Sequence, residues 1–174
     1  MGGRDPLFHV VLLEPEIPNN TGNIGRTCVA THSALHLIHP LGFDISEKAC
    51  RRAGLDYWPR LDVREHVDWV SYERDAHPAQ SWFLTTKGSR TLFDVELHRG
   101  DHLVFGRETR GLPASLLAQH PDRAIALPMA SGERSLNLAT AVCAVVYEGI
   151  RQLLARREIV LDEHARLVPD RTAR

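Results

Sequence analysis

Apolar and polar positions along this chain follow two periods. Short runs rich in valine, isoleucine and leucine predict strands buried on both faces. They are "FHVVLL" at Phe8–Leu13, "LHLIH" at Leu35–His39, "SWFLTT" at Ser81–Thr86, "DHLVFG" at Asp101–Gly106 and "RAIALPM" at Arg123–Met129. "VREHV" predicts a weaker, more polar strand. Helical spacing fills the intervals. After Pro15, "IPNNTGNIGR" turns into a helix, with Asn20 or Thr21 as its cap and Ile24, Cys28 and Thr31 on one face. Ser46 caps a short helix through Arg52 that Gly54 stops. "WVSYERDA" and "LPASLLAQ" read as helices, the second with Pro113 in its first turn, where a missing N–H costs least. From Ser135 to about Arg157 a long helix carries Leu136, Ala139, Cys143, Val146, Ile150 and Leu153 as an apolar stripe. The remaining "EIVLDEHARLVPDRTAR" is weakly patterned.

Strands alternating with helices predict an α/β fold, a mostly parallel sheet flanked by helices. No repeat or linker interrupts it, so residues 1–157 read as one domain and 158–174 as a C-terminal tail. Ligands of such sheets bind beyond the carboxyl ends of the strands. Three strand ends carry glycine or polar turns: Thr85-Thr86-Lys87-Gly88, Gly106-Arg107-Glu108 and Pro128-Met129-Ala130-Ser131-Gly132. A site is expected there.

Composition narrows the partners. The chain has 174 residues, 43% hydrophobic and 25% charged, which suits a soluble domain. A net charge of -1 argues against a non-specific polyelectrolyte binder, and no DNA partner is expected. Local basic pairs remain for RNA: Arg51-Arg52, Lys87 with Arg90, and Arg107 with Arg110. Three scattered cysteines fit a reducing cytoplasm. The N-terminal "MGGRDPLF" has no signal-peptide pattern, and no apolar run approaches the roughly 20 residues that span a bilayer. Cytoplasmic localisation without a membrane is therefore expected.

Several chemistries are excluded by pattern. There is no phosphate-binding G-x-x-x-x-G-K-[ST], and "TGNIG" is not a dinucleotide fingerprint. "GERS" is not a hydrolase elbow. His32, His36 and His39 have metal-like spacing, but a strand turns His36 and His39 to opposite faces, so no metal is expected. Three polar segments remain: Asn20–Arg26, "FGRETRGLP" at Phe105–Pro113, and "SGERSLNLATAV" at Ser131–Val142, with Ser135 as its helix cap. Asn137 stands among apolar residues, where an unpaired amide is costly.

Taken together, "EPEIPNNTGNIGR", "LHLIHPLGF", "RRAGLDYW", "LTTKG", "FGRETRGLP" and "RSLNLATAVCAVVYE" resemble the SPOUT superfamily of RNA methyltransferases. More narrowly, they resemble its small tRNA (cytidine/uridine-34 2'-O)-methyltransferases, from about Val10 to Leu154. The resemblance implies a C-terminal trefoil knot, S-adenosylmethionine as cofactor, a homodimer, and the tRNA anticodon region as substrate, methylated on the ribose of the wobble nucleotide. It implies catalytic roles for Arg26, Asn20, Glu108, Ser135 and Asn137. It implies cofactor contacts at Leu84, Thr85, Gly106, Leu127, Met129, Ser135 and Leu136. Arginine stays protonated, so Arg26 would anchor an RNA phosphate and stabilise charge on the 2'-oxygen rather than act as base. Arg107 stands where close relatives carry proline. The alternatives are a 2'-O-methyltransferase of another RNA such as rRNA, a non-catalytic RNA-binding protein on the same scaffold, and a generic nucleotide-binding α/β protein.

Overall fold

The structure, a computed structural model, describes residues 5–52 and 54–168. The N-terminal MGGR and the last six residues of the expected tail lie outside the described residues.

Seven strands form one sheet: β1 (His9–Leu13), β2 (Ala34–Ile38), β3 (Val63–His66), β4 (Ser81–Leu84), β5 (Arg90–Thr91), β6 (His102–Phe105) and β7 (Ala124–Ala126). Their spatial order is β3-β2-β1-β6-β4-β7-β5, with every neighbouring pair parallel. The helices are α1 (Pro18–Ala30), α2 (Glu47–Arg52), α3 (Trp69–Ala76), α4 (Ala114–Gln119) and α5 (Leu138–Ala155). The two periods of the sequence thus become a parallel sheet between two helical layers. Strand alternation sends Val10, Leu12, Leu35, Leu37, Leu103 and Phe105 to the face covered by α1 and α5. Val11, Leu13, Ile38, Phe83 and Val104 meet Tyr72 of α3 and Leu116 of α4 on the other.

Some expectations need correction. α1 begins at Pro18 with Ile17 as its cap residue, so neither Asn20 nor Thr21 caps it. Proline is favoured at a first helical position, and the Asn20 side chain is engaged elsewhere. α4 begins one residue beyond Pro113, which occupies the cap position. α5 begins at Leu138 rather than Ser135, and its cap is Asn137, whose Oδ1 accepts from the N–H of Ala139 at 2.9 Å and of Thr140 at 3.3 Å. Its buried face is Val142, Val145, Val146, Ile150 and Leu153, which turns Ala139 and Cys143 to its flank. Leu136 precedes the helix and is 45% exposed. α5 is long and apolar enough to cross a membrane by length and composition, but this face is the core of the domain. Residues 160–168, unassigned by pattern, form a hairpin of β8 (Val160–Leu161) and β9 (Leu167–Val168), with Ile159 buried beneath it.

The α3 face of the sheet is not wholly apolar. His9, His36, His66 and His102 gather there with Tyr72. His9 Nδ1 lies 2.9 Å from His36 Nε2, His36 Nδ1 2.9 Å from His66 Nε2, and the Tyr72 hydroxyl 2.6 Å from His102 Nδ1. Nitrogens of His9, His36 and His102 lie within 4.8 Å of one another. His9 and His36 are joined by a hydrogen bond, and the rings of His9 and His102 stack at 4.2 Å with planes 4° apart. His39 is separate, paired with Glu65 at 2.9 Å.

Candidate active site

The site begins where β1 ends. Glu14 adopts a left-handed backbone (φ 52°), which turns the chain out of the sheet towards Pro18 and α1. The loop after β6 rises beside it. The Glu108 carboxylate accepts from the N–H of Glu16 at 2.8 Å, the N–H of Ile17 at 3.2 Å and Asn20 Nδ2 at 3.1 Å. The helix start thus faces an anion, matching the sign of its dipole. Reciprocally, the Glu16 carboxylate accepts from the N–H and hydroxyl of Thr109 at 3.0 and 2.8 Å. Arg107 pairs with Glu14.

Asn20 extends the network. Its Oδ1 accepts from Asn137 Nδ2 at 2.9 Å, while Asn137 Oδ1 caps α5. One hydrogen-bonded path therefore runs from the loop after β6, through Glu108, Asn20 and Asn137, to the start of α5. Asn137 has a partner at both ends of its amide, which answers why a polar residue stands there.

Beside this path lies a cavity of about 610 Å³ at the carboxyl ends of β4, β6 and β7. That volume is within the range of small-molecule sites. Leu84, Thr85, Gly106, Leu127, Met129, Ser135 and Leu136 all line it, as do Asn20, Glu108 and Asn137. Leucines give apolar walls, strand-end backbone gives polar edges, and Lys87, Arg110 and Arg134 make the lining basic. A flat base with polar edges fits these walls and edges, and the basic side chains suit an anionic group such as the carboxylate of an amino-acid moiety. Gly106 sits at the closest approach: a Cβ there would lie 2.1 Å from the Gly111 carbonyl carbon and 2.2 Å from Leu112 N. Ser135 is exposed and lines the cavity without capping α5.

Arg26 is set apart. It is exposed and does not line the cavity. Six residues along α1 rotate it by about 240° from Asn20 and carry it about 9 Å along the axis. Its guanidinium lies over the Tyr57 ring, 4.9 Å from the centroid. The pairs Glu14–Arg107 and Glu16–Thr109 were not legible as partners, because residues some 90 positions apart meet only once β1 and β6 are known to be neighbours.

Comparison with known proteins places the architecture. Residues 7–147 match the model of the SpoU rRNA Methylase family. The chain belongs to this family. A tRNA (cytidine(34)-2'-O)-methyltransferase of Saccharophagus degradans is 47% identical over 148 residues, 84% of this chain and 96% of that one. A solved structure described as structural insights into the 2-OH methylation of C/U34 on tRNA aligns with a TM-score of 0.79 at 41% identity, covering 88% of this chain and all of that one (100%). The SpoU methyltransferase AviRb of Streptomyces viridochromogenes, in complex with the cofactor AdoMet, aligns with a TM-score of 0.70 at 25% identity, covering 87% of this chain and 60% of that one.

Proposed function

We propose that this protein is an S-adenosylmethionine-dependent methyltransferase that modifies the ribose 2'-OH of the tRNA wobble nucleotide, cytidine or uridine 34. The observation that carries the reading is the meeting of ten residues at one cavity: Asn20, Leu84, Thr85, Gly106, Glu108, Leu127, Met129, Ser135, Leu136 and Asn137. They do so in a chain 47% identical to a relative named for that reaction.

S-adenosylmethionine, when bound, supplies a methyl group already activated by its sulfonium. The protein therefore has no need of a covalent nucleophile, and its work is alignment. Leu84, Leu127 and Leu136 would pack the faces of the adenine, and the backbone at Thr85, Gly106 and Met129 would read its edges. The Glu108–Asn20–Asn137 path holds the walls of the cavity in register. Arg26 stays protonated and would bind an RNA phosphate, stabilising negative charge that develops on the 2'-oxygen.

Arg26 faces away from the cavity of its own chain, which supports a homodimer in which a second copy brings Arg26 to the site. The tRNA anticodon region as the bound segment and the cytoplasm as the compartment belong to the same proposal. So does a knotted C-terminal half. Its support is the position of β7 between β4 and β5, a late strand inserted between two earlier ones.

The test is a map of ribose 2'-O-methylation in tRNA from cells lacking the protein, joined to methylation of tRNA by the purified protein. Loss of the mark at position 34 in a subset of tRNAs is expected. Intact wobble methylation with loss in ribosomal RNA would replace the substrate, and no S-adenosylmethionine binding by calorimetry would replace the reaction.

A further inference from the structure

α1 presents two small residues, Gly22 and Gly25, one turn apart, to the segment 55–61. A Cβ on Gly25 would lie 2.9 Å from Leu61 Cδ2 and 3.0 Å from Trp58 Cζ3, so this segment rests closely against the helix. Tyr57 is the residue trapped between them, 4% exposed. Its hydroxyl donates to the carbonyl oxygen of Gly22, one helical turn before Arg26. Its ring lies under the Arg26 guanidinium, 4.9 Å from the centroid. The arginine is exposed, and its long side chain would otherwise sample many rotamers. The face of an aromatic ring attracts a guanidinium and favours a stacked arrangement.

We propose that Tyr57 is a positioning residue for methyl transfer: a ring fixed to α1 by its hydroxyl, on which the Arg26 guanidinium is held ready for an RNA phosphate. A neutral ring leaves the charge of the guanidinium for that phosphate, whereas a carboxylate partner would neutralise it. The inference rests on the phosphate-binding role proposed for Arg26.

The experiment is a double-mutant cycle on the full-length protein, with kcat and the KM for S-adenosylmethionine read separately. Tyr57→Leu removes the π face and is expected to lower kcat about tenfold, leaving the cofactor KM within about twofold. Tyr57→Phe keeps the ring and is expected to retain at least about a third of kcat. In an Arg26→Ala background, Tyr57→Leu is expected to cost no more than about twofold further. Equal losses from Tyr57→Leu in both backgrounds, with Arg26→Ala itself impaired, would overturn the role of Tyr57 alone. An unimpaired Arg26→Ala would overturn the role of Arg26 and this one with it. If Tyr57→Leu does not fold, NMR of the wild-type protein decides. An upfield ring-current displacement of the Arg26 Nε–H, assigned by its absence in Arg26→Lys, is expected, and a resonance at the ordinary arginine position would overturn the proposal.

Discussion

The amide of Asn137 donates from Nδ2 to Asn20 Oδ1 at 2.9 Å and caps α5 with its Oδ1. One side chain thus does two separable things, and substitutions can part them. Asn137→Ser keeps a capping oxygen but is too short to reach Asn20. It is expected to stay within about 0.5 kcal/mol of wild-type stability, yet to lose activity. Asn137→Ala loses both and is expected to be destabilised by about 1 kcal/mol as well. Denaturant midpoints beside methylation rates check this. Full activity in the serine variant would mean that the bond to Asn20 is not needed.

Glu108 receives three N–H donors, two from the backbone ahead of α1. Glu108→Gln puts an NH₂ group where an acceptor is required, so at least one of these donors, most of them part-buried, meets a donor. A cost of about 1–3 kcal/mol is expected, together with weaker S-adenosylmethionine binding, because the loop carrying Gly106 and Glu108 forms one wall of the cavity. Calorimetric titration of the variant with cofactor checks it, and unaltered affinity would show that the cavity does not depend on this carboxylate.

At Gly106 the constraint is closeness. A Cβ there would meet the Gly111 carbonyl carbon at 2.1 Å and Leu112 N at 2.2 Å, atoms of backbone that cannot rotate aside as a side chain can. Gly106→Ala is expected to force the loop 106–112 open, lowering cofactor affinity by more than about tenfold and stability by about 1–3 kcal/mol. Gly54→Ala is a useful contrast. Nothing crowds that position, and the cost there comes only from its positive φ of 73°.

The sequence pattern specifies the sheet well, because strands buried on both faces read as continuous apolar runs, as in Val10–Leu13 and Leu103–Phe105. It specifies helix starts less well. Asn20, Ser135 and Asn137 are all good cap residues by type, and only tertiary partners decide between them. Asn20 is drawn into α1 by its bonds to Glu108 and Asn137, and Ser135 stays in the cavity lining. β5, two residues long, was invisible because its existence depends on β7 lying beside it. The residues at the cavity came from resemblance, whereas periodicity alone pointed only to the three strand ends that border it.

The histidine cluster under α3 makes stability depend on pH, and the sign follows from burial. Desolvation lowers His36 to about 2, with His9 and His102 adding repulsion. It likewise lowers His102 to about 3 and His9 to about 4, and it lowers His66 too. All four are neutral in the fold at neutral pH, whereas the unfolded chain protonates them near pH 6.5. The unfolded state therefore binds more protons as pH falls below that value. The stability is present above about pH 6.5 and is lost progressively as pH falls towards 4. Urea midpoints measured from pH 7.5 to 4.5 are expected to fall steeply below pH 6.5, and unfolding calorimetry at pH 5.5 in buffers of different ionisation enthalpy to show net proton uptake. His36→Leu removes one titrating group and should flatten the slope, even though it leaves nitrogens of His9 and His66 without a partner. A midpoint unchanged between pH 7 and 5 would mean that the cluster takes up protons as readily folded as unfolded.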